Sequence, residues 1–290
     1  LSASGGGAAQ DAAELRAQQL ASWERQAPGW GRQAQRMREA GMPVSRWLIE
    51  HLALQPGERL LELASGPGDT GFMAAELIAP GGELLCSDAS KAMLEIARRR
   101  ADEQGVANVT FRQLQLEWID LPAAGVDAIL CRWGVMLVVD PAAALRECRR
   151  VLRPGGRIAL AVWDALEANP WFTVAAGALR ERGLEPVGDP AAPGPFSLSA
   201  PGLLGELLAE AGFVEPLIEA VAIERRYASA EEYLEETLDV SASFSAAWQL
   251  LDGGEREALA ATVRARLEPY LDSSGALALP GRSLVALAYA

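Results

Sequence analysis

Leu60-Leu61-Glu62-Leu63-Ala64-Ser65-Gly66-Pro67-Gly68-Asp69-Thr70-Gly71 is the stretch on which the reading of this chain turns. A short apolar strand (59–63) runs into a glycine-rich turn, and a helix is predicted to start at Asp69 and reach about Ile78. Gly66, Gly68 and Gly71 satisfy the spacing G-x-G-x-x-G, and Asp88 follows about 20 residues on, after a second apolar strand at 83–87. A side chain at 66 or 68 would hold a ligand off the backbone, and a carboxylate at 88 can accept both hydrogens of a ribose diol. A turn with no ligand would account for the glycines but not for the placing of Asp88.

Outward from this stretch, strand and helix alternate. A helix over 90–104 stops at Gly105, and strands follow at 108–113 and 126–131. Another helix covers 141–152, Pro154-Gly155-Gly156 turns the chain, and a strand occupies 157–163. Strands joined by single helices imply right-handed crossovers and a parallel sheet, and the apolar runs AILC and IALAVW suit strands buried on both faces. The fold class is therefore α/β, a doubly wound, mostly parallel sheet. Upstream, helices are expected over 10–26, ended by Pro28-Gly29, and over 43–54, with Pro43 near its start. Downstream, a helix runs from Asn169-Pro170 to about Arg182, and 185–202 is a Pro/Gly-rich loop. A helix at 202–211 leads to an extended stretch at 214–226. Residues 229–273 read as nearly all helical, and 283–289 as a last strand. A helical block of that length between two strands should cap one end of the sheet.

Composition narrows the chemistry. The chain of 290 residues has 39 acidic and 26 basic residues, a net charge of −13, and half of it is apolar. An acidic chain is ill suited to tracking phosphates, so nucleic acid is not an expected partner. The arginine clusters Arg98-Arg99-Arg100 and Arg146/Arg149/Arg150 fall late in predicted helices, where they read as solvated faces favoured by the dipole. One histidine (His51) and three isolated cysteines (86, 131 and 148) make a zinc site or a disulfide framework implausible, and a reducing, cytoplasmic setting is expected. No apolar run has the length of a membrane span.

The nucleoside remains to be chosen. Asp69 at the helix start would repel a pyrophosphate, and Glu62 adds negative charge at the tip of the first strand. Two acids suit a ligand carrying an ammonium and a sulfonium, as S-adenosylmethionine does. Lys91 is the only lysine, so a Tyr-x-x-x-Lys pair cannot exist. An NAD(P)-binding oxidoreductase would therefore lack its usual proton donors, and it stands as the alternative.

LLELASGPGDTG, followed by LLCSDAS, QLEWIDLP, VDAILCRWGVMLVVDP and RVLRPGG, resembles the class I S-adenosylmethionine-dependent methyltransferases. Within them it is most similar to the ubiquinone/menaquinone C-methyltransferase-like, type 11 branch of small-molecule enzymes. The motifs cover about 58–164. The resemblance implies a Rossmann-like methyltransferase fold of seven strands, the last antiparallel. It further implies S-adenosylmethionine as cofactor, S-adenosylhomocysteine as product, and direct methyl transfer to a small, apolar-leaning acceptor. Glu62 matches the acid that helps hold the methionine end, and Ala64, Ser65, Gly66 and Gly68 match the loop whose backbone meets the cofactor. Asp88 matches the acid on the ribose hydroxyls, and Ala89 and Met93 match the adenine lining. Leu116 and Glu117 match the segment that reads the adenine edge. Arg132 matches a position whose carbonyl receives the ammonium, with Trp133 beside it, and Trp30 matches an aromatic near the methionine end. The family commonly carries Asp-Ala-Glu where this chain has Gln115-Leu116-Glu117, so a charge is lost at 115.

The organisation expected is a disordered tail over 1–9 and N-terminal helices over 10–54 that cover the cofactor site. The cofactor-binding core spans 55–228 and 274–290, with a loop and helix insertion at about 166–200, and 229–273 forms the cap. Methyl transfer needs proximity, alignment and water exclusion more than a set of reactive side chains. Where the acceptor must lose a proton, His51, Tyr227, Tyr233 and Glu24 are the candidate bases. Trp133, Met136 and Trp171 are the expected acceptor lining. A third reading is a protein of the same fold that binds the cofactor without methylating.

Overall fold

Residues 5–184 and 193–290 are described in a computed structural model of the chain. The central strands form as their apolar runs dictate. β1 (Arg59–Glu62), β2 (Glu83–Asp88), β3 (Val109–Gln113), β4 (Val126–Arg132) and β5 (Leu152–Trp163) pair in parallel. Leu60, Leu61, Ile129 and Leu160 are wholly buried at the middle of this sheet. β6 (Val214–Tyr227) and β7 (Leu277–Tyr289) complete it, and β7 runs antiparallel to both β5 and β6. The strand order is β3-β2-β1-β4-β5-β7-β6, so the winding reverses between β1 and β4. The crevice outside the carboxyl ends of these two strands is where open α/β sheets bind ligands.

Helices α3 (Thr70–Ala75), α4 (Lys91–Gln104) and α5 (Pro141–Val151) cross between the strands. Ser90 caps α4 by accepting the Met93 N–H, and Gly105 ends it in the left-handed conformation, as the sequence reading has it. Asp140 caps α5 ahead of Pro141. α3 is shorter than expected, and Asp69 makes no cap hydrogen bond to it.

The N-terminal region departs from the reading. α1 (Gly5–Arg32) passes through Pro28 without a break, and α2 (Ala34–Leu52) begins nine residues before Pro43 and passes through it too. Both prolines lie on exposed faces, where water can satisfy the carbonyl left without its helical partner. The neighbouring glycines are buried and permit close approach. A Cβ at Gly29 would overlap the Asp239 carbonyl, and one at Gly41 would meet the Arg132 guanidinium at 2.6 Å. These Pro-Gly and Gly-x-Pro signals mark tight packing, not helix ends. Of the tail expected over 1–9, residues 1–4 lie outside the described residues, and α1 is helical from Gly5. Within the expected 185–202 loop, residues 185–192 also lie outside them.

The cap emerges where β6 and β7 outrun the sheet. α8 (Ala230–Val240), α9 (Ala242–Leu250) and α10 (Gly253–Leu267) leave from Tyr227 and return at Leu277, which pair with each other. With α6 (Pro170–Glu181) they enclose a second apolar core that includes Tyr233, Phe244, Leu259 and Val263. α7 (Leu203–Glu210) packs on the main core through Leu204 and Leu208.

Gly29→Ala is expected to lower stability by about 1–3 kcal/mol through overlap with α8. Gly253→Ala, where a Cβ meets nothing within 4 Å, should be neutral or stabilising by about 0.5 kcal/mol. Urea denaturation of both variants checks the pair, and equal effects would contradict the assignment of Gly29 to a packing role.

Candidate functional site

The turn after β1 is built from left-handed residues. Ala64, Gly66 and Gly68 have φ of 50°, 56° and 74°, and the Gly68 N–H donates to the Ser65 carbonyl at 3.1 Å, closing a four-residue turn. A Cβ at Gly66 would point into open space, whereas one at Gly68 would strike the Phe72 ring. The two glycines therefore serve different ends: Gly66 leaves room beside the backbone, and Gly68 lets α3 close on the loop. Gly71 completes the set, because a Cβ there would overlap the Glu62 carboxylate.

A cavity opens above this turn. Every cofactor residue expected from sequence lines it except Gly68: Glu62, Ala64, Ser65 and Gly66 from the turn, Asp88, Ala89 and Met93 from the second strand and its helix, Gln115, Leu116 and Glu117 after β3, Arg132 and Trp133 after β4, and Trp30 from α1. α1 supplies much that sequence reading missed. Arg16, Gln19, Leu20 and Trp23 line the cavity beside the expected Trp30, and Met37 joins them from α2. The 16/19/20/23 spacing is one face of a helix and was legible as such, but nothing in it says what that face covers.

Two carboxylates dominate the electrostatics. Glu62 is buried, and its Oε1 accepts the Gly71 N–H at 2.8 Å while Oε2 has no hydrogen-bond partner. Burial pushes its pKa up to about 7, against the Gly71 hydrogen bond and the Arg132 charge, which lower it. Asp88 accepts from Gly66 N–H through Oδ2 and from Ser90 N–H through Oδ1, each at 2.8 Å. Burial raises it to about 6 despite those bonds. The expected third acid does not join them. Asp69 turns away to Arg132 at 3.0 Å and Arg38 at 3.5 Å, and it does not line the cavity. Glu117 is also engaged, because its Oε1 accepts from Arg16 Nε (3.0 Å), Arg16 Nη2 (2.7 Å) and Asp140 N–H (3.0 Å). The Arg16 guanidinium lies 5.0 Å from the centre of the Trp118 ring.

Trp133 holds a left-handed conformation (φ 60°), donates its indole N–H to Ser283 at 2.9 Å, and stacks on Trp163 at 4.2 Å. Trp163 in turn meets Trp171 at 4.7 Å. Of the expected acceptor lining only Trp133 reaches the cavity. Trp171 bonds Asn169, and Met136 is core, its sulfur accepting the Trp163 N–H.

The candidate bases are not brought here. His51 stacks on Trp47 at 3.8 Å and bonds the Trp47 carbonyl at the end of α2. Tyr227 donates to Glu236 at 2.8 Å and Tyr233 to the Trp171 carbonyl at 2.7 Å, both within the cap junction, where burial pushes their phenols well above the usual range. Glu24 accepts the Lys91 and Ala92 N–H groups and so fastens α1 to the start of α4. Each was plausible by residue type, and each is committed to a neighbour. Among the described residues no group of three His, Cys, Asp or Glu side chains is placed to hold a metal ion.

A family described as a methyltransferase domain matches residues 54–182. Over that stretch the chain is similar to a methyltransferase domain, and the relatives it matches there are C-methyltransferases of the UbiE type. The ubiquinone/menaquinone biosynthesis C-methyltransferase UbiE of Cellvibrio japonicus is 33% identical over 114 residues, which are 39% of this chain and 46% of that protein. The chain thus spans less than half the length of the curated relatives it matches. The crystal structure of the YcgJ protein from Bacillus subtilis superposes with a TM-score of 0.56 at 20% identity, over 84% of this chain and 97% of that one. The [4+2]-cyclase SpnF superposes with a TM-score of 0.51 at 20% identity, over 84% and 80%. The methyltransferase domain thus accounts for β1–β5, and the fold likeness extends over most of the chain.

S-adenosylmethionine is the cofactor of this family, and the cavity fits it on its own terms. Its wall holds one buried acceptor with no partner, Glu62 Oε2, and one buried donor with no partner, the Trp30 indole N–H. An α-amino acid group offers the complement of both.

Glu62 yields a pH dependence whose sign follows from its raised pKa. Its stabilising contribution is complete below the unfolded value near 4.5 and is lost as pH rises through about 7. Glu62→Gln, a neutral isostere, should therefore gain stability relative to the parent by on the order of 2–3 kcal/mol between pH 5 and pH 8. Urea denaturation without ligand at the two pH values measures the gap, and a constant gap would mean that Glu62 titrates normally.

Proposed function

We propose that this protein transfers a methyl group from S-adenosylmethionine to a small, apolar-leaning acceptor in a cytoplasmic setting. The observation that carries the reading is the pairing of Asp88 and Glu62 at the tips of adjacent strands beside an open glycine backbone. Each Asp88 oxygen spends one lone pair on a backbone N–H and keeps another for a ribose hydroxyl. Glu62 Oε2 is left to take the ammonium, which also removes the cost of its buried charge. Ala64, Ser65 and Gly66 let the cofactor lie against the backbone. Ala89, Met93 and Leu116 supply the apolar surface for the base, with Gln115 and Glu117 at its edge. Trp30 and Trp133 stand at the methionine end.

The bound cofactor supplies a methyl carbon already activated by its sulfonium. The protein's share is to bind, align and exclude water. α1 serves the last purpose, since its cavity-facing side carries Leu20, Trp23 and Trp30. The carboxylates of the cavity wall are taken up in this reading, Asp88 and Glu62 by the cofactor and Glu117 by Arg16. The free, buried state of Cys86, Cys131 and Cys148 supports the compartment.

Calorimetry should show S-adenosylhomocysteine binding in the micromolar range. Asp88→Ala should weaken it by about tenfold to a hundredfold, the worth of hydrogen bonds to a charged group. Folded wild-type protein that fails to bind would overturn the reading, as would NADH binding of similar strength. The fold does not choose the reaction by itself, since one neighbour is a cyclase. Mass spectrometry of candidate acceptors with S-adenosylmethionine therefore decides between methylation and cofactor binding alone.

A further inference from the structure

The run Arg98-Arg99-Arg100 reads from sequence as a solvated helix face, and two of its members behave that way. Arg99 is exposed, and Arg98 lies over the Phe111 ring at 5.3 Å. Arg100 does not. It is half-buried, and a single nitrogen, Nη1, donates to both the Pro67 carbonyl (2.9 Å) and the Gly68 carbonyl. Burial lowers its pKa, with Asp69 opposing. A guanidinium is placed in such surroundings only where it has acceptors to satisfy it.

Those two acceptors belong to the cofactor turn. The peptide between Pro67 and Gly68 is planar, so its two ends move together. Its N–H end is held by the Ser65 carbonyl at 3.1 Å and its C=O end by Arg100. That double tie fixes the turn whose second residue, Gly66, presents open backbone to the cavity and donates its N–H to Asp88. The next residue, Asp69, is held by Arg132 and Arg38. Arg100 stands on the same helix as Met93, a cavity residue, and that helix's cap, Ser90, donates its N–H to Asp88. α4 thereby sets the turn, the diol-binding acid and part of the apolar wall from one rigid element.

We infer that Arg100 is a positioning residue for the cofactor, holding the Pro67 and Gly68 carbonyls so that the Ser65–Gly68 turn keeps its backbone against the nucleoside. The inference rests on the cavity being the S-adenosylmethionine site. It predicts a loss confined to cofactor affinity: a cation without acceptors at 67 and 68, or acceptors without a cation, lets that peptide rotate and withdraw the surface Gly66 offers.

The test is calorimetric, with S-adenosylhomocysteine as probe and thermal unfolding of the free proteins alongside. Arg100→Met should raise Kd at least tenfold, and Arg100→Lys, which restores a cationic donor, should return it to within about threefold of wild type. The unfolding midpoints of the two variants should match each other, so that a merely structural role cannot produce the difference. Binding by Arg100→Met within twofold of wild type would overturn the inference, as would Arg100→Lys as weak as Arg100→Met. If Arg100→Met does not fold, Arg100→Leu, which likewise carries no donor, takes its place with the same criteria. Failure of the wild type to bind defeats the proposed function first, and is told apart because it precedes any variant.

Discussion

A carboxylate buried at the tip of the central strand is the constraint from which the rest of the site follows. Charge in such a place is unfavourable unless neighbours satisfy it. For Glu62 the neighbours are the Gly71 N–H, the Arg132 charge one strand away, and whatever lies in the cavity. Gly71 must lack a side chain for the carboxylate to fit. The chain from Glu62 to Gly71 must therefore double back sharply, and the left-handed residues Ala64, Gly66 and Gly68 make that possible. One buried charge thus accounts for a glycine loop, a short helix and an arginine.

Around this centre the protein spends its other charges on holding surfaces in place. Arg132 bridges β4 to Ser45 of α2 and to Asp69, and it reaches both only because Gly41 leaves space in the helix above. Arg16 draws α1 onto Glu117, and Glu24 draws the same helix onto α4. The apolar cluster under α1 is small, Ala27 with Met93 and Ile96, so these polar ties matter more there than in the sheet. An element held by few apolar contacts opens more easily than the core, and α1 is such an element beside the cavity.

The α/β alternation, the strands from β1 to β5 and the helices α4 and α5 could be read directly. Their apolar runs, caps and terminal glycines act over a few residues, and no distant contact opposes them. Most of the residues that line the cavity were legible for a related reason. They sit at strand ends, and a parallel sheet brings the ends of β1, β2 and β4 together whatever lies between. Legibility failed where one residue type answers to two forces. Pro28 and Pro43 look like helix ends, yet both face solvent, and their neighbouring glycines are shaped by contacts with Asp239 and Arg132 far along the chain. His51, Tyr227 and Tyr233 have the right chemistry for a base, but Trp47, Glu236 and Trp171 claim them.

The sequence by itself determined the sheet, its glycine turn and the two acids beside it, because these depend on local periodicity and on the geometry that a strand-to-helix turn imposes. Only the tertiary structure decided which charges face the cavity. Asp69 stands next to the turn in sequence and is drawn away by Arg132 and Arg38, while Arg16, a hundred residues from Glu117, comes to meet it. A side chain's partner is set by what burial brings near, and burial joins residues that spacing along the chain does not.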